Sequence, residues 1–233
     1  MPGVDSGLEE QWLMEDISAQ LSSVHSTLNN VACQLRDTEY KLVVSSSKSE
    51  ALKGVVSRKG GQMEPDLTVR LNGQKVHIAL EQDQEPVALH QAVDCINFIM
   101  VAQRTSGDIR VRVGSMLSLV RNARQALKQP NSTNIFPLRP QANEFNLPRN
   151  VVVDFYVKDS ALVTEVRWLE YEDHSLSSIF SKRRDSIQYG GTRAIVHDHI
   201  RVESQDPNLI SAITKLSALE NQLEAMRRKL DII

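Results

Sequence analysis

The sequence has no apolar run long enough to cross a membrane. Its longest run rich in apolar residues covers 98–102, whereas a membrane-spanning helix needs about 20 such residues. The first seven residues lack both the basic region and the apolar core of a secretion signal. Only two cysteines occur, Cys33 and Cys95, each in a helix-like stretch with no neighbouring ligand at metal-binding spacing. We therefore expect a cytoplasmic protein with two reduced, buried thiols.

Excess charge and catalytic motifs are also lacking. The 233 residues carry 27 basic and 29 acidic side chains, a formal charge of −2, which gives no overall attraction to nucleic acid. No dinucleotide-binding glycine motif, phosphate-binding loop or Gly-x-Ser-x-Gly motif is present. His197 and His199 fall on one face of a predicted strand and are candidate metal ligands, but without a further ligand pair a partly exposed strand face is the simpler interpretation. We expect no nucleic-acid binding, no metal, no cofactor and no catalysis.

The strongest pattern that is present is an apolar stripe near the N-terminus. Apolar residues recur there at alternating steps of three and four, which predicts an amphipathic helix over 6–42, about 55 Å long. The stripe consists of Met14, Ile17, Leu21, Val24, Leu28, Val31 and Leu35. Four leucines, Leu21, Leu28, Leu35 and Leu42, are also seven residues apart, which is the pattern of a leucine zipper.

Two kinds of packing are consistent with this stripe. In a heptad register the leucines take position a and the β-branched residues position d, which is the reverse of the preference in two-stranded parallel zippers. The flanking positions lack the charged residues that select zipper partners. We therefore favour packing among the helices of the same chain, and keep an intermolecular two-stranded coil as the alternative.

Three further helices and two β segments complete the predicted fold. Helices are expected over 86–104, 108–129 and 207–233, begun by Pro86, Asp108 and Asp206-Pro207. Strands are expected over 52–58, 67–71, 76–80, 151–157, 162–169 and 194–202, with Asn72-Gly73 as a hairpin turn. Extended or mobile polar segments are expected over 130–148 and 171–191.

These elements predict an elongated, two-lobed α+β protein. One lobe would be an antiparallel helical bundle domain formed by 6–42, 86–129 and 207–233. The other would be a small antiparallel β domain formed by 52–82 and 149–203.

Two groups of basic residues are candidate partner-docking sites. On the helix that follows Asp108, four side chains share one side away from the apolar stripe. They are Arg110, Arg121, Arg124 and Lys128. This basic ridge is either a solvated helix face or a docking site for an acidic partner or an anionic lipid headgroup. Lys182, Arg183 and Arg184 form a second basic group, within the polar segment.

Several short stretches, taken in order, resemble the Rogdi leucine-zipper family, whose fungal relative is the second subunit of the RAVE complex. They are Leu52-Lys53-Gly54-Val55-Val56, the strands at 66–71 and 76–80, Gln91-Ala92-Val93, the strand at 151–157 and the segment 196–202. The order of elements is similar over nearly the whole chain.

The resemblance implies a non-enzymatic accessory protein. It implies partnership with large WD-repeat scaffold proteins of the RAVE or rabconnectin type and with V-ATPase subunits, in a complex that promotes assembly of the vacuolar proton-pumping ATPase and organelle acidification. It also implies a monomer within a hetero-complex that is recruited peripherally to vacuolar or endosomal membranes. It transfers no catalytic or binding residue. A self-associating leucine-zipper regulator is the alternative function.

Overall fold

Four helices occur in the part of the chain that the computed structural model describes, residues 5–46, 50–139, 145–171 and 186–232. They are α1 (Asp5–Asp37), α2 (His90–Gln103), α3 (Ile109–Ala126) and α4 (Pro207–Leu230). Two starts are as predicted: Asp108 accepts a hydrogen bond from Arg110 N, and Asp206 accepts from Asn208 N and Leu209 N. These carboxylates satisfy amide groups that have no partner inside the helix.

Two predicted helix boundaries are wrong. The helix expected over 6–42 ends at Asp37, and Leu42 lies in the following strand, where polar and apolar side chains alternate between solvent and core. The seven-residue leucine repeat is therefore helical only at Leu21, Leu28 and Leu35. The helix expected from Pro86 begins at His90, because Val87–Ala88 pairs with an adjacent strand instead.

The strands form two antiparallel sheets. The first contains β1 (Glu39–Ser45), β2 (Leu52–Lys59), β3 (Gln62–Leu71) and β4 (Gln74–Ala79) in that order, and β5 (Val87–Ala88) pairs with β3. The second has the order β6-β7-β9-β8, where β6 is Val151–Lys158, β7 is Ala161–Tyr171, β8 is Ile187–Tyr189 and β9 is Thr192–Gln205. Strand β8 lies inside the polar segment predicted over 171–191, of which 172–185 is outside the described residues.

The predicted hairpin turn at Asn72-Gly73 is confirmed. Both residues have positive φ, +47° and +74°, as a two-residue type I′ turn requires. It joins β3 to β4 and sets the pairing of Val69 with Val76 and of Leu67 with Ile78. Because side chains alternate along a strand, this register places these four apolar residues on the buried face.

The apolar stripe of α1 is buried inside the chain. Between Ile17 and Leu35 its side chains are at most 2% exposed, and they belong to one cluster of buried residues that includes side chains from all four helices and both sheets. Helix α1 contacts α2 and α4, and α3 also contacts α2 and α4. One molecule therefore covers the stripe from Ile17 to Leu35, and Met14 at its start is partly buried.

A buried ion pair joins the first sheet to the start of α4. Arg58 Nε on β2 donates to Asp206 Oδ2 over 2.6 Å, and both side chains are fully buried. Arg58 also donates to the carbonyl oxygen of Gly60. Nearby, Asn208 of α4 donates to the carbonyl oxygen of Gln34 near the end of α1, over 2.9 Å. These contacts fix the start of α4 against both β2 and α1.

Candidate docking surfaces

Two members of the basic ridge are occupied by carboxylates of α4. Arg121 Nε donates to Glu220 Oε1 over 3.0 Å, and its guanidinium also contacts Glu224. Arg124 Nε lies 2.7 Å from Glu220 Oε2. The hydrogen bond to Glu220 raises the pKa of Arg121 above its usual value. Much of the positive charge at the centre of the ridge is therefore balanced within the chain.

The other two members lie at opposite ends of α3. Arg110 is exposed in the first turn, and Lys128 is half-buried just after the last. They are 18 residues apart, which corresponds to about 27 Å along a helix. Neither forms an ion pair within the described parts of the chain. The basic ridge thus consists of two separate cations, Arg110 and Lys128, on either side of arginines that are paired with carboxylates. Its use as a docking site stays a prediction. Lys182, Arg183 and Arg184 lie outside the described residues.

The two candidate histidine ligands do not follow the simple alternation of a strand. Trp168 pairs with Asp198 and Leu169 pairs with Val196, so the ladder skips His197. Such a bulge changes which face the adjacent side chains occupy. His199 Nε2 instead lies 2.6 Å from Glu165 Oε1. Among the residues that the structure describes, no group of three or more histidine, cysteine or carboxylate side chains is placed to hold a metal ion.

Glu165 belongs to a buried polar network on the second sheet. It accepts a hydrogen bond from the Tyr156 hydroxyl over 2.8 Å and lies 2.6 Å from Arg167. Burial alone would raise the pKa of Glu165, but Tyr156, Arg167 and His199 together hold it below its usual value. Burial raises the pKa of Tyr156 to about 12, and the hydrogen bond to Glu165 contributes to the shift. The network therefore keeps Glu165 ionised and Tyr156 protonated.

Asp154 and Phe136 complete this network. Arg167 donates to Asp154 Oδ2 over 2.8 Å, and its guanidinium carbon lies 4.5 Å from the centre of the Phe136 ring. Burial raises the pKa of Asp154 even though Arg167 opposes the shift. Each charged member has a partner of opposite charge, an arrangement that makes a sheet face rigid.

Two surface cavities of about 490 Å³ lie elsewhere. One, between α2, α3 and the segment after α3, is lined mainly by amide side chains, including Asn122, Gln125 and Gln129. The other lies beside β4 and includes Glu64, Asp66 and His77.

The exposed apolar residues were missed by the sequence reasoning, which followed the α1 stripe only from Met14. Leu8 is 62% exposed and Trp12 is 69% exposed. At 100° per residue they lie about 160° around the helix from the centre of the stripe. A helical projection that included residues 5–13 would have revealed this second apolar face.

The structure thus defines an α+β protein whose leucine-bearing helix is covered by its own chain. No helix in the described ranges is long and apolar enough to cross a membrane. The family model described as "Rogdi leucine zipper containing protein" matches residues 9–195 and 181–231. The chain belongs to this family, as the resemblance indicated. No curated protein matched the chain.

Proposed function

We propose that this chain is a non-catalytic adaptor subunit of a RAVE- or rabconnectin-type complex that promotes assembly of the vacuolar proton-pumping ATPase. In this role it binds a large WD-repeat scaffold and, directly or through that scaffold, V-ATPase subunits. The observation that carries the proposal is the family match over most of the chain. The adaptor works in the cytoplasm, at the surface of vacuolar or endosomal membranes, and so supports organelle acidification.

The burial of the α1 stripe supports a monomeric adaptor over a self-associating zipper. A zipper needs its leucines free to enter the holes of a second helix, but Leu21, Leu28 and Leu35 already lie in the cluster of buried residues formed within one chain. Pairing two chains through the same face would first expose that cluster. The outer faces of the protein are then the surfaces that bind partners.

The proposal includes a two-lobed architecture in which the four helices form an intramolecular bundle. The helix contacts support it, since each of α1 and α3 contacts both α2 and α4. One end of every helix also adjoins strand structure: α1 leads into β1, β5 leads into α2, and β9 leads into α4. The end of α3 is held by hydrogen bonds from Asp159 N and Ser160 N, in the β6–β7 turn, to the carbonyl oxygens of Lys128 and Leu127.

Removing the chain from cells that contain it tests the proposal. We expect less of the peripheral ATPase sector on vacuolar membranes, a higher lumenal pH and unchanged total amounts of pump subunits. Re-expression of the chain should restore the first two. In parallel, the purified chain should bind the WD-repeat scaffold as a single copy. Unchanged pump assembly after removal, together with no binding to the scaffold, would refute the proposed function.

A further inference from the structure

The first three turns of α1 present an apolar pair that the fold does not use. Leu8 and Trp12 are four residues apart, so they are neighbours on one face of the helix. Both are mostly exposed, at 62% and 69%, and both face away from the buried stripe. One of the protein's two tryptophans is therefore exposed. Exposed aromatic residues of this kind are enriched where proteins bind one another.

This part of α1 extends past the end of the neighbouring helix. Lys229 Nζ lies 3.0 Å from Asp16 Oδ2, and Lys229 is one residue before the end of α4. Eleven residues of α1 precede Asp16, so about 16 Å of helix continues beyond this contact. The segment 5–15 can therefore present its outer face to a groove on another molecule while Leu13 and Met14 stay packed against the buried cluster.

The charge of this segment selects the partner. Carboxylates occupy positions 5, 9, 10, 15 and 16, and no lysine or arginine occurs before Arg36. Gln11 donates to Glu15, while Asp16 is occupied by Lys229 and Gln20. Glu9 and Glu10 are exposed and form no ion pair within the described residues. Along α1 itself, the apolar pair is thus bordered by carboxylates and by no lysine or arginine.

We propose that residues 5–15 of α1 form a recognition helix that inserts Leu8 and Trp12 into an apolar groove rimmed by lysine and arginine side chains on the scaffold partner. This inference rests on the proposed function. An amphipathic helix in an apolar groove is a common recognition mode, in which residues one turn apart act as anchors. Opposite charges around such anchors steer association and exclude wrong partners.

The same charges disfavour two other occupants. Pairing this segment with its counterpart in a second copy would bring two acidic helices together, which like-charge repulsion opposes. An anionic membrane surface is bound by helices with lysine and arginine on the polar face, and this segment has none. A groove on the scaffold is therefore the binding site that fits both the apolar pair and its charged border.

The test compares two exposed apolar sites at the same end of the helices. The Leu8→Ala/Trp12→Ala variant removes the proposed anchors. Val111→Ala, at a residue of α3 that is 61% exposed, is the matched control. Affinity for the purified scaffold is measured at low and at high salt. Thermal unfolding of each variant, and fluorescence of Trp12 in a Trp168→Phe background, are recorded alongside.

We expect the double variant to bind about 30-fold more weakly, which is the loss typical of hot-spot anchors, with an unchanged melting temperature. Val111→Ala should bind within about twofold of wild type, Trp12 emission should shift to shorter wavelength on binding, and Glu9→Lys/Glu10→Lys should weaken binding most at low salt. Equal binding of wild type and double variant would overturn the inference and leave the proposed function standing. Failure of the wild type to bind the scaffold would overturn the inference, and together with unchanged pump assembly after removal of the chain it would refute the proposed function as well.

Two further outcomes would assign the segment to a different occupant. If light scattering shows a dimer that the double variant abolishes, the segment binds a second copy of the chain instead of the scaffold groove. If the chain sediments with phosphatidylserine-containing vesicles and the double variant does not, the segment binds a membrane instead of the scaffold groove. Either result would overturn the proposed recognition helix.

Discussion

Asp206 is the residue whose loss should most weaken the join between the first sheet and α4. Its carboxylate performs two tasks: it accepts from the amide groups of Asn208 and Leu209 at the start of α4, and it pairs with Arg58 over 2.6 Å. Replacing an N-cap carboxylate by alanine costs about 1 kcal/mol. Leaving a buried charge without its partner costs about 3–5 kcal/mol. Asp206→Ala should therefore lower the free energy of unfolding by about 4–6 kcal/mol, a large part of the 5–15 kcal/mol typical of a domain.

Asp108→Ala is the matched control, because Asp108 caps α3 in the same way without a buried ion pair. It accepts from Arg110 N over 2.9 Å in an exposed position, so its loss should cost only about 1 kcal/mol. Urea unfolding followed by circular dichroism gives both values, and an unchanged dependence on urea shows that the two-state comparison is valid. If the two substitutions cost the same, the buried pair does not stabilise the join as argued.

A second comparison separates the pair from the cap. Arg58→Met leaves Asp206 buried without its cation, whereas Arg58→Met/Asp206→Asn removes the charge and keeps a side-chain oxygen for the cap. Since an unpaired buried charge is the costly state, the double variant should be more stable than Arg58→Met alone. The reverse order would show that the unpaired carboxylate is tolerated there.

Two further predictions concern the buried stripe and the polar network. Leu28→Asp places a charge at a fully buried position and should unfold the chain. Ser26→Asp, on the exposed side of α1, is the control and should leave a folded monomer near 26.2 kDa by light scattering. If the wild type were a dimer and Leu28→Asp a folded monomer, the zipper would be supported instead. Tyr156→Phe removes the hydroxyl that donates to Glu165. It should lower the free energy of unfolding by about 2 kcal/mol near neutral pH, because the acceptor is charged. Tyr171→Phe, which loses an exposed hydrogen bond, should cost less. The stability that ionised Glu165 contributes is present above its ordinary pKa of 4.5 and is lost as the pH falls through its lower pKa in the folded state. The cost of Tyr156→Phe should therefore shrink in acid. A cost independent of pH would contradict the hydrogen bond from Tyr156 to ionised Glu165.

Local signals in the sequence correctly predicted much of the secondary structure. Asn72-Gly73 specifies its turn because both residues accept positive φ. Asp108 and Asp206 specify helix starts because their carboxylates reach amide groups only two or three residues away. The short strand β8 was missed since three residues are too few to show alternation.

Features that depend on distant partners were not predictable in this way. Leu42 continues the seven-residue leucine repeat, yet it lies in β1, where the pairing of β1 with β2 outweighs the repeat. The ridge at Arg121 looked uniformly positive because Glu220, which balances it, lies 99 residues away along the chain. Leu8 and Trp12 were predictable from the sequence, because a helical projection of residues 5–13 places both on the side opposite the apolar stripe.

The antiparallel contact between α1 and α4 has a consequence for synthesis on the ribosome. Leu28 and its neighbours emerge before α4, which covers part of their stripe. Until α4 is made, the nascent polypeptide therefore exposes a row of apolar side chains, a state prone to aggregation. We expect such intermediates to be chaperone clients, and a premature stop codon before residue 207 to yield a product that is degraded rather than one that retains partial activity.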